Sequence, residues 1–123
     1  MSTDSIEQLQ AEIRRFAEER DWQPFHTPKN LVMALAVEAA ELMEHFQWAT
    51  PEQSQHPDPV KLAAIGEEMS DVLIYLVRLA DVLELDLLAA ARAKLIHNGQ
   101  KYPADAARGN ARKYTELTQD KQP

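Results

Sequence analysis

The sequence predicts an all-α chain, an antiparallel bundle of four main helices, and three observations carry that expectation. Apolar residues recur at intervals of three to four through most of the 123 residues. Helix-opening signals, Thr27-Pro28, Asp58-Pro59 and Asp86, stand at the heads of three such stretches. No segment alternates apolar and polar residues in the manner of a half-buried strand, and no internal repeat is present.

The first helix carries Ile6, Leu9, Ile13 and Phe16 on one side, with Thr3 or Asp4 as its cap and an end near Asp21. Pro24 and Pro28 disfavour helix for the residues before them, so Asp21 to Pro28 reads as a short loop bearing Trp22, Phe25 and His26. Thr27 and Pro28 open the second helix, expected to run to about Trp48. Between Leu31 and Val37 it is apolar on nearly every side, which calls for a central position or cover from another subunit. Ala49 to Pro57 reads as a connecting loop. Asp58 caps a third helix reaching about Leu83, with Gly66 suggesting a close backbone approach. Asp86 caps a fourth, Leu87 to Asn98, stopped by Gly99. Beyond it, a basic segment holds Lys101, Arg108, Arg112 and Lys113, with Lys121 later, and the last residues, 118–123, read as a flexible tail.

Composition narrows the function. A net charge of −7 argues against a nucleic-acid polymer or an anionic membrane as partner. The absence of cysteine excludes disulfides, zinc-thiolate sites and thiol catalysis. The first residues lack the apolar core of a secretory signal, and no apolar stretch approaches the ~20 residues of a membrane span, so a cytoplasmic protein is the expectation.

The chain centres on two acidic pairs, Glu38 with Glu41 and Glu68 with Asp71, each spaced i, i+3 and therefore on one helix face. Glu38 lies one turn from Leu35 and Leu42, in the most apolar sector of its helix. A carboxylate placed there needs a counter-charge, because burying an unpaired charge costs several kcal/mol and like charges add to the cost. A hard divalent cation removes both penalties, and an all-oxygen site suits Mg²⁺ or Mn²⁺. Glu44, Glu67 and Glu84 need no such account and can point outward.

Di-iron bundles require Glu-x-x-His pairs, and His45 is four residues after Glu41 rather than three. Metal-assisted phosphoryl or nucleotidyl chemistry remains. There is no Gly-rich phosphate loop. The pattern Glu-x-x-Glu, then Glu-x-x-Asp on the next helix, resembles the MazG-like superfamily of all-α nucleoside triphosphate pyrophosphohydrolases. Asp21-Trp22, Phe25-His26, Lys29-Asn30-Leu31, Phe46-Gln47-Trp48, Ser70 to Leu76, Lys101-Tyr102-Pro103, and Arg108-Gly109 through Lys113-Tyr114 are similar to its dCTP pyrophosphatase branch.

That resemblance implies hydrolysis of a (deoxy)nucleoside triphosphate, dCTP or a modified dCTP, to monophosphate and pyrophosphate with Mg²⁺, Mn²⁺ being a possible substitute. It implies Glu38, Glu41, Glu68 and Asp71 as metal ligands; for the proton of the attacking water, Glu41 is the preferred general base among them. Trp22, Gln23, Pro24, Phe25, His26, Trp48 and Tyr75 would form the base and sugar pocket. Lys94, Asn98, Lys101, Arg108, Arg112 and Lys113 would approach the phosphates, and the domain would span residues 1–117 of a homodimer or homotetramer. The chain departs from the branch at Ile13, where relatives can carry His, and in a slightly shorter loop between the acidic pairs. Two other readings stand beside this one: a non-catalytic helical interaction module, and the same superfamily with another substrate such as dUTP or a phosphoribosyl nucleotide.

Overall fold

Helix starts in this chain are set by side-chain oxygens that capture orphan backbone N–H groups. In the computed structural model, which describes residues 5–119, Ser5 accepts from Gln8 N–H at 3.1 Å and heads α1 (Ile6–Glu19). Thr3 and Asp4, the caps expected from sequence, lie outside the described residues. Thr27 caps α2 (Pro28–Glu44) and Asp58 caps α4 (Pro59–Val82), each followed by proline at the first helical position as expected. Asp86 caps α5 (Leu87–Lys101) in the same way.

Five elements depart from the sequence reading. The helix α2 ends at Glu44, four residues before Trp48, and gives way to tight turns through which Phe46 N–H and Gln47 N–H both reach Met43 O. The expected loop at 49–57 contains α3 (Pro51–Ser54), opened by a capping box in which Thr50 and Gln53 exchange side-chain and backbone bonds. Gly99 does not stop α5, which continues to Lys101. Pro103 is the effective stop, because it bars the helical conformation from Tyr102. Past it, in and after the basic segment for which no helix was expected, stand α6 (Ala104–Ala107) and α7 (Tyr114–Gln119). Lys121 lies outside the described residues. Among the described residues there is no strand, so the all-α class holds.

The helices α1 and α4 end alike. Trp22 N–H reaches Ala17 O and Asp21 N–H reaches Glu18 O. Leu85 N–H and Glu84 N–H repeat the pattern onto Ala80 O and Asp81 O. Asp21 and Glu84 occupy the left-handed position at φ of 53° and 54°, where glycine is the usual occupant. Gly66 makes no close approach: a side chain there would meet open space, and its carbonyl accepts from the Ser70 hydroxyl.

The chain divides into two compact units, Met1–Leu85 and Asp86–Pro123. In the first, α4 lies along α2 and touches α1, burying Ala17, Leu31, Ile65, Val77 and Ala80. The partners show that α2 and α4 run antiparallel: His26, at the head of α2, meets Arg78 near the end of α4. In the second unit α5, α6 and α7 follow in order, Tyr102 meets Tyr114 edge-on, and Leu117 is buried. No helix among the described residues is long and apolar enough to cross a membrane.

A charged network ties α1 to α4. Asp81 accepts from Arg14 Nε at 2.8 Å, Gln10 Nε2 at 3.0 Å and Arg78 Nη1 at 3.2 Å. Hydrogen bonding to Arg14, outweighing the effect of burial, holds the Asp81 carboxyl below its ordinary range. An Asp81→Asn variant leaves the buried Arg78 short of a counter-charge, and urea unfolding should show a loss of roughly 2 kcal/mol at neutral pH. Because the native value is depressed, this stabilisation is present above the ordinary carboxylate pKa and disappears as pH falls through the native one. The gap between wild type and variant should therefore close in acid. A gap that persists there would show that lost packing, not lost charge, causes it.

Candidate metal centre

The i, i+3 spacing does what the helix period requires: α2 presents Glu38 and Glu41 toward Glu68 on α4. One carboxylate oxygen from each of the three can be chosen so that all lie within 4.8 Å of one another. Glu38 Oε2 and Glu68 Oε2 are buried without a hydrogen-bond partner. Orphaned carboxylate oxygens of this kind are costly, and folding tolerates them where something outside the chain completes them.

The electrostatics agree. Burial first, then hydrogen bonding and repulsion from Glu41, then the charges of Asp71 and Glu68, push Glu38 up to about 7. Glu68 moves in the same direction, again through burial first and then through Glu41 and Asp71, with His45 opposing. Both neighbours hydrogen-bond to Glu41, which is therefore the central member. Asp71 lies close enough to act on Glu38 and Glu68 through its charge but falls outside the converging trio. A divalent cation fits these residues: the donors are all hard oxygens, the charge is in excess, and two buried oxygens lack partners.

The other expected site residues distribute unevenly. Gln23–Phe25 form a single 3-10 turn, and Asn30 Nδ2 pins it by donating to Phe25 O at 3.0 Å. Trp22 packs edge-on against Phe16 (ring centroids 5.7 Å) and His26 (6.1 Å), while Phe25 projects outward. Tyr75 is half-buried, one turn beyond Asp71 on this same side. Trp48, 89% exposed, stands at the opposite end of the α2–α4 pair, beside a cavity of about 280 Å³ whose walls include His45 and Lys61. The structure thus brings Trp22, His26 and Tyr75 to one flank of the acids and Trp48 to the other.

Lys94, Asn98, Lys101, Arg108, Arg112 and Lys113 all belong to the second unit. There Lys101 Nζ sits 4.8 Å from the Tyr114 ring, Arg108 pairs with Asp105 at 3.8 Å, and Arg112 N–H donates to Asn110 Oδ1.

One residue of consequence was missed from sequence. A helical wheel gathers Arg78 on the side of α4 that bears Glu68, Asp71 and Tyr75 without giving it a role, yet it is 6% exposed and donates through Nε to His26 Nδ1 at 3.0 Å. The sequence signal was available: at i, i+3 Asp81 supplies the partner that lets an arginine be buried.

An all-α structure with a partly buried trio of carboxylates between two antiparallel helices is compatible with the class of helical proteins that hold hard divalent cations. Residues 33–117 match the MazG-like family, and the chain belongs to that family. Human dCTP pyrophosphatase 1 is 49% identical over 116 residues, covering 93% of this chain and 66% of its own length. The rat dCTP pyrophosphatase 1 is 47% identical with the same coverage, so the chain spans just under two thirds of these relatives. The crystal structure of a pyrophosphatase from Archaeoglobus fulgidus superposes with a TM-score of 0.77 at 36% identity, covering 84% of this chain and 96% of that one.

Glu38 gives a test that needs no substrate. Its native value of about 7 lies above the ordinary one of 4.5, so the folded chain holds a proton that the unfolded chain releases between them. That contribution to stability is full below the ordinary value and is lost as pH rises through about 7. In chelator, Tm should fall between about pH 5 and about pH 8. Added Mg²⁺ or Mn²⁺ should raise it, and more at the alkaline end, where the acids are ionised. A Tm indifferent to cation at every pH would remove the metal centre.

Proposed function

We propose that this chain hydrolyses a (deoxy)nucleoside triphosphate, dCTP or a modified dCTP, to the monophosphate and pyrophosphate, with Mg²⁺ as cofactor, and so clears the nucleotide pool. The observation that carries this reading is the convergence of Glu38, Glu41 and Glu68 with two buried oxygens left unpartnered. The relatives named dCTP pyrophosphatase 1 support the substrate.

Glu38, Glu41, Glu68 and Asp71 would hold the ion. When bound, Mg²⁺ supplies charge neutralisation for the phosphate oxygens and acidification of a water. Glu41, the member on which both neighbours act, would accept the proton of a water that adds to the α-phosphorus. The bond from the α-phosphorus to its bridging oxygen then breaks, and pyrophosphate departs. Trp22, with the turn Gln23–Phe25, His26 and Tyr75, forms the nucleoside flank. There an aromatic face contributes about 1–3 kcal/mol to binding a base of any identity. Base selectivity therefore lies in hydrogen bonds and pocket size. Ile13 lines an apolar cavity of about 230 Å³ with Glu12, Phe16 and Ile74.

A nucleotide panel with Mg²⁺ tests the activity. Pyrophosphate release should vanish with chelator, and Glu38→Gln should lower kcat/KM about 100-fold or more. Full activity in that variant would remove Glu38 from the ligand set.

The same reading includes a homodimer or homotetramer in the cytoplasm. Of α2 only Leu31 is buried, while Val32, Met33, Val37 and Met43 are about half exposed. Such an apolar helix surface calls for cover by a second copy. Sedimentation should show an assembly that Met33→Glu shifts toward monomer. A wild type that is monomeric at all concentrations would contradict this part alone.

A further inference from the structure

Arg78 is the one buried charged residue of the chain's described core, and its partners show what it controls. Arginine has only donors, and Arg78 gives one to each of two acceptors, Nε to His26 Nδ1 at 3.0 Å and Nη1 to Asp81 Oδ2 at 3.2 Å. An imidazole nitrogen that accepts a hydrogen bond carries no proton. The single proton of the neutral ring therefore resides on Nε2, on the side of the ring away from Arg78. Asp81 is in turn held from α1 by Arg14 and Gln10, so the fork cannot swing. His26 also meets Trp22 edge-on. One guanidinium thus fixes the tautomer and orientation of the His26 ring, in a loop where Trp22 packs on that ring and Phe25 faces outward.

The placement gives this a use. Asp71, Tyr75 and Arg78 succeed one another at four and three residues, so Arg78 shares a face of α4 with Asp71 and lies two turns, about 10 Å, farther on. That separation is comparable with the reach of a nucleoside from phosphate to base.

We propose that Arg78 is a positioning residue of the nucleotide site, holding His26 as the Nε2–H tautomer so that it donates a hydrogen bond to a carbonyl or ring-nitrogen acceptor of the nucleoside. This rests on the nucleotide reading above and deepens it. A neutral, fixed donor selects for an acceptor at that point and leaves the charge of the acidic cluster untouched. Lysine cannot replace the fork, having no planar pair of donors aimed at two acceptors.

Long-range ¹H–¹⁵N spectra of the wild-type protein at neutral pH should show His26 protonated on Nε2 with Nδ1 as acceptor. Adding dCMP with Mg²⁺ should move the Nε2 signal. An R78M variant should lose the single tautomer and raise KM for dCTP about tenfold, with kcat changed less than about twofold. In an H26N background, where the distal donor is already gone, R78M should change KM by less than about twofold. A wild-type ring protonated on Nδ1, or as imidazolium, overturns the proposal even if R78M fails to fold. So does an R78M enzyme with wild-type KM. Wild-type protein that releases no pyrophosphate from any nucleoside triphosphate removes the nucleotide reading itself, an outcome distinct from turnover that ignores Arg78.

Discussion

The structure depends on one unfavourable interaction: carboxylates from α2 and α4 forced together in a partly buried seam. Ordinary packing would keep them apart, because each added negative charge raises the cost of ionising the next. Two long helices hold them there regardless. The helix α4 is anchored by Ile65, Val77 and Ala80, and α2 by Leu31, residues placed by the same periodicity that aims the acids inward. The apolar spacing and the acid spacing are one pattern, so neither can be moved without the other. This is why the acids cannot relax into solvent by a small rotation of either helix.

The site follows from that constraint through its electrostatics. A protonated Glu38 would relieve the crowding at the expense of a ligand, whereas a cation relieves it and keeps all the acids ionised. The two fates compete near neutral pH. Glu41 stands at the point where both effects meet, since its neighbours on either helix each hydrogen-bond to it.

How much of this was legible beforehand varied with how local the physics was. Thr27, Asp58 and Asp86 announced their helices because a cap acts within four residues. Glu38, Glu41, Glu68 and Asp71 were paired from sequence because i, i+3 spacing puts each pair on one helix face, though only the first three converge within a metal's reach. Gly99 misled because glycine permits a stop without requiring one, while Pro103 requires it. The capping box of Thr50 and Gln53 was readable and was passed over under the polar composition around it. Arg78 was hidden for a different reason. Its partners His26 and Asp81 lie 52 and 3 residues away, and only the antiparallel packing of α2 on α4 shows that the distant one is adjacent.

The contrast between the two charged clusters on α4 separates structure from function. Asp81 and Arg78 belong to a set whose members meet inside the chain: Arg14 and Gln10 complete Asp81, and His26 completes Arg78. Such a set stabilises by itself and asks nothing of solution. Nearly three turns earlier on α4, Glu68 converges with Glu38 and Glu41 of α2, and two of their oxygens have no hydrogen-bond partner. The same helix, in the same solvent, could have received an arginine there as it did at position 78. That it presents only acids leaves the missing positive charge to be supplied from outside, and the balanced cluster nearby shows that the imbalance is no general property of this helix pair. The complete network holds the loop bearing Trp22 and His26 in place, and the incomplete one is compatible with a divalent cation. A nucleotide spanning the two would meet rigid donors at one end and metal at the other.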